Sequence, residues 1–316
     1  MRALTLTSFG GLDSVVLTDA AEPEMPDDAV TVRVHAVALA PWDVGTTEGG
    51  FVAMGGMTTF PQVLGWDFAG VIASAGSSVT GWEPGDRVLG FSPQPWNGGV
   101  AADLVVLPPS LIAALPADLD FIAGATLPVT SLTAQQIVAA SGLQDGTTAL
   151  VIGAAGFVGG TVVQLGRVRG ARMIASVGSA DFGHVRDLGA ADAVDRAGDV
   201  AAQVRNLVPE GVDLTIDLVG PAVWQAALAA TRTGGRFITA SGMGSLPDVD
   251  RGITALPVAV QPDSASLTSL AERYANGSLT MTTTVAGVFP LPQARQALEA
   301  VRRGNARGKY VLDLQQ

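Results

Sequence analysis

The sequence predicts an α/β protein: a doubly wound parallel sheet preceded by a lobe of short strands. Three observations carry that prediction. Strand-like and helix-like segments alternate through the middle of the chain. Glycines stand three residues apart where one of those strands gives way to a helix. The first 117 residues, by contrast, show almost no helical period. With 316 residues the chain is long enough for two domains. Hydrophobic residues make up 48% and charged residues 15%, so each domain can bury a core.

In the first lobe, AVTVRVHAVAL, DFAGVIASAG, DRVLGF and ADLVVL read as strands, with Gly- and Pro-bearing turns such as EPGD between them. Near residue 120 the texture changes. The stretch DFIAGATLPVTSLTAQQIVA spaces its apolar residues by three and four on either side of Pro128. A series follows: strand ALVIGA, helix FVGGTVVQLGRVRG, strand ARMIAS, helix ADFGHVRDLG, strand ADAVDR, a helix over 200–207, strand VDLTIDLVG, helix PAVWQAALAATR and strand GRFITAS. That alternation is the mark of βαβ units. Two amphipathic helices, SASLTSLAERYANG and PQARQALEAVRRG, then lead to a final strand, KYVLDL, which suits a return to the first lobe. The expected domains are residues 1–120 with 263–316, and residues 121–262.

Composition excludes several classes of function. The formal charge is −11, from 18 basic and 29 acidic residues, which is a poor basis for binding phosphodiester backbones. No run is apolar for long enough to span a bilayer, and MRALTLTSFGG lacks the features of a secretory signal. A cytoplasmic protein is expected. Cysteine is absent, which removes disulfides, thiolate nucleophiles and zinc sites built on Cys. Of the two histidines, His35 falls on the polar side of a strand and His184 in a polar helical segment. Both read as surface residues, and no metal site is expected.

Gly153, Gly156 and Gly159 follow a strand and open a helix inside a βαβ unit. A turn without side chains lets backbone approach a pyrophosphate, and the helix start offers unpaired N–H groups. Ala155, Phe157 and Val158 fill the rest of this loop and first turn. The other reading is a tight turn with no ligand. An NAD site usually puts an acid at the end of the next strand, some twenty residues on. Here Ser176 and, shortly after, Ser179 stand in that region, with Asp181 slightly later. Small hydroxyl residues leave room for a 2′-phosphate, and Arg196, just after the third strand, is the basic partner by topology. NADPH is the expected cofactor. A solvated loop arginine remains the alternative for Arg196.

These residues resemble the zinc-independent quinone oxidoreductases, the zeta-crystallin-like branch of the medium-chain dehydrogenase/reductase superfamily. VALAPWDVG is similar to that family's Asn-Pro-x-Asp turn, PQVLGWDFAGVI to its Gly-x-Asp-x-Ala-Gly segment, and EPGDRVLG to its Gly-Asp-Arg-Val turn. ATLPVTSLTAQQ, GAAGFVGG, RDLGADAVD, DLVG, GGRF and NARGKYVL continue the likeness in order over almost the whole chain. The resemblance implies a GroES-like β lobe carrying the active-site cleft, joined to a Rossmann domain that binds NADPH. It also implies hydride transfer to a small-molecule acceptor such as a quinone, enone or alkenal, and a homodimer formed through the sheet edge, for which LPVAVQ at 256–261 is the analogous strand. Thr133, Val219, Gly220, Ser241 and Gly242 are then the further cofactor contacts. Arg307 and Lys309 are candidates that otherwise belong to a solvated basic loop.

Departures from the family pattern matter as much. Where zinc-dependent relatives carry His-Glu, this chain has Trp66-Asp67; the asparagine before Pro-x-Asp is Ala40; and the tyrosine near the 2′-phosphate is replaced by Arg196. The only tyrosines, Tyr274 and Tyr310, come late in the chain. No triad, carboxylate pair or placed histidine emerges, so the expected mechanism is positioning of the acceptor with protonation by solvent. Ala40, Pro41, Trp42, Trp66 and Trp96 are the candidate acceptor pocket, in which flat rings stack. The tryptophans equally suit a lobe core, and Asp43 suits a turn-holding role. Two other functions remain open: reduction of an enoyl thioester, and nucleotide binding without catalysis.

Overall fold

The structure is a computed structural model that describes residues 1–93, 98–241, 245–281, 284–304 and 308–316. The chain divides into two compact units. The first comprises Met1–Val129, Pro262–Ser278 and Thr283–Gln316; the second comprises Thr130–Gln261 and Leu279–Thr282.

The first stretch of unit 1 forms strands β1 (Arg2–Leu6), β2 (Val15–Asp19) and β3 (Val30–Leu39), helix α1 (Pro41–Thr47), then β4 (Gln62–Val63), β5 (Asp67–Ala75), β6 (Arg87–Phe91), β7 (Leu104–Leu107) and β8 (Ile112–Ala114). In β3 the pattern is legible in burial: Val30, Val32 and Val34 are inside, Arg33 is exposed and His35 is half-buried. The His35 ring packs on Phe121, with centroids 4.2 Å apart. Helix α1 departs from the all-β expectation. Pro41 takes its first position, and the Asp43 carboxylate accepts the Ala40 N–H at 2.8 Å. Such a local cap makes about two turns of helix without any periodic stripe. Helix α2 (Phe121–Ala125) and helix α3 (Pro128–Ser141) follow, separated where Pro128 was expected to interrupt the pattern.

Unit 2 alternates β9 (Thr148–Ile152), α4 (Phe157–Val168), β10 (Arg172–Val177), α5 (Phe182–Asp187), β11 (Asp192–Asp195), α6 (Val200–Leu207), β12 (Val212–Asp217), α7 (Trp224–Ala230), β13 (Thr231–Thr239) and β14 (Thr254–Pro257). Among the described residues the strand order is β11-β10-β9-β12-β13-β14, and every pairing is parallel. The order reverses at β9, so ligands belong at the carboxyl ends of β9 and its neighbours. The core around Leu150, Ile152, Ile174, Val194 and Phe237 explains why these strands read as apolar runs. Two boundaries differ from the sequence reading. Helix α7 starts only at Trp224, after a 3-10 turn over Pro221–Val223. The edge strand β14 ends at Pro257, whereas the sequence reading ran it on to residue 261.

The chain then returns to unit 1 through α8 (Ser264–Ala275), β15 (Thr284–Pro290), α9 (Ala294–Arg303) and β16 (Gly308–Asp313). Among the described residues unit 1 has a three-stranded sheet, β2-β1-β4, and a larger one ordered β15-β16-β3-β5-β6-β8, with β7 also on β3. Two registers in the larger sheet set up the site. Tyr310 of β16 lies opposite Leu39, and Asp67 of β5 lies opposite Ala38. The end of β3 is thus flanked by Asp67 on one side and Lys309 on the other. Among the described residues no helix is long and apolar enough to cross a membrane.

Candidate active site

The glycine loop leaves the central strand of unit 2. Gly153 has φ of 85°, a conformation that favours glycine. Gly159 is needed for close packing: a Cβ there would collide with the Gly153 carbonyl oxygen and lie 2.7 Å from Ala154 Cα. Gly156 is different. Its φ is −77°, open to any residue, and a Cβ on it would meet only the Gly153 oxygen, at 3.4 Å. The fold itself does not require glycine at 156. Gly156 is exposed, no side chain caps α4, and Ala155 and Val158 flank it half-buried. A bare, exposed backbone at a helix start is what a pyrophosphate needs. Phe157 turns inward, 6% exposed.

At the ends of the next two strands the predicted 2′-phosphate residues come together. The Arg196 N–H donates to the Val177 carbonyl at 2.9 Å. A Cβ built on Gly178 would lie 3.8 Å from both Arg196 Nε and Asp181 Oδ2. Ser179 is exposed, but Ser176 is 2% exposed and its hydroxyl is buried without a partner. Ser179 therefore offers the accessible hydroxyl, with Arg196 as the exposed cation beside it. Asp181 brings a carboxylate to the same corner.

Asp217, which the sequence reading passed over inside DLVG, ties the loops after β12 and β13. Its carboxylate accepts from the N–H groups of Val219 and Gly220 at 3.0 and 3.1 Å and from Trp224 Nε1 at 2.9 Å. Thr239 Oγ1 lies 2.9 Å from the same carboxylate and accepts the Ser241 N–H at 3.0 Å. Val219, 52% exposed, stands over the glycine loop, with Cγ2 3.3 Å from the Cβ position of Gly153. Thr133 is buried on α3. Gly242, Trp96 and Arg307 lie outside the described residues.

In unit 1 the candidate pocket residues gather around buried charge. The rings of Trp42 and Trp66 have centroids 6.2 Å apart, and Phe51 stacks on Trp66 at 5.6 Å. Trp66 is 6% and Ala40 3% exposed, so both belong to the lobe interior. Pro41 is exposed and Trp42 half-buried. Lys309 corrects the expectation of a solvated basic loop. It sits in strand β16, its side chain 8% exposed, and its ammonium lies 2.8 Å from Asp67 Oδ2 and 5.3 Å from the Trp42 ring centroid. Asp67 is fully buried, and its other oxygen accepts the Val129 N–H at the start of α3, at 2.6 Å. Asp43 is also fully buried; Oδ2 holds Ala40 as expected, but Oδ1 has no partner.

The electrostatics follow from that arrangement. Burial pushes the Asp43 carboxyl up to about 8, and the neighbouring Asp67 charge adds to the rise while Lys309 and the Ala40 N–H oppose it. Burial also raises Asp67, against the pull of Lys309 and the Val129 N–H. Asp67, paired with Lys309, is the carboxyl placed to carry the charge, while burial favours the neutral form of Asp43. An acid directly after tryptophan in two apolar contexts, PWD and GWD, was the available sequence signal for this cluster.

The comparisons with known proteins agree with this geometry. The pattern described as alcohol dehydrogenase GroES-like domain matches residues 26–117, and that described as zinc-binding dehydrogenase matches 188–312. The chain is 28% identical to the 2-methylene-furan-3-one reductase of Solanum lycopersicum over 99% of its own length and 79% of that protein's. Identity and coverage are the same for the chloroplastic NADPH-dependent alkenal/one oxidoreductase of Arabidopsis thaliana. The quinone oxidoreductase of Coxiella burnetii superposes with a TM-score of 0.87 at 26% identity, covering 99% of both chains. A GroES-like lobe joined in one chain to a Rossmann unit defines a medium-chain dehydrogenase/reductase. Within that superfamily the chain is similar to quinone and alkenal/one oxidoreductases.

Two measurements test the site. Gly156→Ala should melt within a few degrees of the parent yet bind NADPH about tenfold or more weakly, whereas Gly159→Ala should lose about 1–3 kcal/mol of stability; thermal melts and NADPH titration separate the two. For Asp43, the folded value of about 8 exceeds the unfolded value of about 4. Its stabilising contribution is therefore complete below the unfolded value and is lost as pH rises through the folded one. The parent should lose melting temperature relative to Asp43→Asn as pH is raised from about 5 to about 9. Parallel curves for the two proteins would show that Asp43 does not titrate in this range.

Proposed function

We propose that the protein is an NADPH-dependent oxidoreductase that reduces quinones or α,β-unsaturated carbonyl compounds without zinc. The exposed, unobstructed backbone at Gly156 carries the reading, because that glycine answers no need of the fold. In this reading the α4 start and Gly153, Gly156 and Gly159 take the pyrophosphate, and Arg196 with Ser179 takes the 2′-phosphate. Val219, Gly220 and Ser241, held in place by Asp217 and Thr239, border the nicotinamide. Bound NADPH supplies the hydride. The half-buried ring of Trp42, backed by the buried Trp66, offers a flat acceptor an apolar surface that excludes water. Among the described residues the two histidines stand in β3 and in α5, and position 66 carries a tryptophan, which does not ligate zinc. The solved and curated relatives named above are described as a quinone oxidoreductase, an alkenal/one oxidoreductase and a furanone reductase, all reactions of this class.

The same reading makes the protein a cytoplasmic homodimer joined at β14. That strand is an edge of the parallel sheet, and its Leu256 is 41% exposed.

The test is oxidation of NADPH by the purified protein with a benzoquinone, a naphthoquinone, an alkenal, a cyclic enone and crotonyl-CoA, each repeated with NADH. Turnover of quinone or enone with a preference for NADPH is expected, and Arg196→Ala should reduce that preference about tenfold or more. Turnover of the thioester alone would reassign the protein as an enoyl reductase. Tight NADPH binding with no turnover would leave a nucleotide-binding protein without catalysis.

A further inference from the structure

The reductase reading leaves one chemical need unmet. When hydride adds to an enone or quinone, the electron pair moves on to the acceptor's oxygen, and that oxygen must be stabilised and protonated. The sequence offered no donor for this step, but the buried cluster of unit 1 does. Of the 18 basic side chains, 17 are arginines, and Lys309 is the one lysine in the chain. Among the described residues no arginine is buried, whereas Lys309 is 8% exposed. The chain thus departs from arginine at the one buried basic position described. An arginine would serve an ion pair at least as well, but it cannot give up its proton, and a lysine can.

The surroundings fit a proton donor. Among the described residues Asp67 is the only hydrogen-bond acceptor for the Lys309 ammonium, which leaves two of its three N–H bonds for another oxygen. The ammonium lies over the ring of Trp42, on the aromatic group to which the reductase reading assigns the acceptor. Asp43 shares the cluster, fully buried, with Oδ1 unpartnered. A buried orphan oxygen calls for an explanation, and a carboxyl that holds a proton beside an ion pair provides one. The charges that act on Asp43 are those of Asp67 and Lys309. Helix α9, packed on α1, presents Arg295, Glu299 and Arg302 to an outer recess shared with Asp13 and Glu48, and Arg295 is there paired with Asp13 and Glu299.

We propose that Lys309 hydrogen-bonds the acceptor's oxygen and transfers to it the proton that completes reduction, with Asp43 as the acid that restores the lysine. The inference rests on the reductase reading. The Lys309 N–H bond breaks and its electron pair stays on nitrogen; the new O–H bond forms on the acceptor, as an enol or hydroquinone. Asp43 then passes its proton to the neutral amine and recovers one from water, so each turnover consumes one hydride and one solvent proton. Lys309 touches the reacting oxygen, and Asp43 acts through it.

The test uses Lys309→Arg, Asp43→Asn and the parent protein, with the enone and quinone. Lys309→Arg should lower kcat about 100-fold and leave NADPH affinity unchanged. In the parent kcat should fall above about pH 8, and Asp43→Asn should lower kcat about tenfold and abolish that alkaline fall. A single lysine also means a single labelled lysine side-chain resonance. It should shift when acceptor is added to the NADP⁺ complex and stay in place when NADP⁺ is added alone. An undiminished kcat in Lys309→Arg, or a variant whose only defect is weak NADPH binding, overturns the proposal, and so does a lysine resonance that moves with NADP⁺ alone. Should Lys309→Arg not fold, an Asp43→Asn protein with unaltered kcat and pH profile does the same. The two readings fail separately: a parent that turns over no acceptor removes the reductase reading, while an active parent with an equally active Lys309→Arg removes this one.

Discussion

A buried ion pair, Lys309 with Asp67, is the constraint on which the organisation of unit 1 depends. Each partner comes from a different strand flanking β3, and Asp67 also receives the N–H of Val129 at the start of α3. One carboxylate therefore fixes a strand that arrives at the very end of the chain and a helix that begins some sixty residues after it. Removing either partner would strand a charge in a dry interior, at a cost of about 3–5 kcal/mol. A pair of apolar residues would satisfy the same space at no such risk. That a fold tolerates the pair, and buries a second acid, Asp43, in the same lobe, points to chemistry and not to stability as its use.

Unit 2 meets a comparable demand with backbone in place of charge. The strand order reverses at β9, which opens a crevice whose floor is the glycine loop. Gly153 and Gly159 answer to the fold, one by its φ and one by the approach of α4 to the loop. Gly156 answers to neither, and its backbone at the start of α4 is left exposed. Asp217 does for the far wall of this crevice what Asp67 does in unit 1. It gathers two loop N–H groups, an indole and a hydroxyl on one carboxylate, and so fixes Val219, Gly220 and Ser241 by hydrogen bonds.

The parts of the molecule that were legible in the sequence share one property: they are local and periodic. The alternation of β9 to β13 with α4 to α7 could be read because parallel strands are apolar runs and their helices carry a stripe. The glycine spacing was legible for the same reason. Helix α1 was not, because so short a helix, held by Pro41 and the Asp43 cap, carries no period. The burial of Lys309 was not legible, because its surroundings in sequence, RRGNARGK, are those of a surface loop. Its partner lies 242 residues away, and only the pairing of both β16 and β5 with β3 brings the two together. Ser176 was placed at the right strand end, but alternation alone did not decide whether its hydroxyl pointed out or in.

The choice of lysine at position 309 ties these levels together. A chain of 17 arginines and one lysine has a strong preference for the cation that never titrates, and it relaxes that preference at a buried position between two acids. Arginine's fork would give Asp67 two bonds and a firmer pair. Lysine gives it one and leaves two donors unspent. Those properties are liabilities for a structural ion pair. For a residue that must release a proton to an oxygen and regain it from a neighbouring carboxyl, they are requirements.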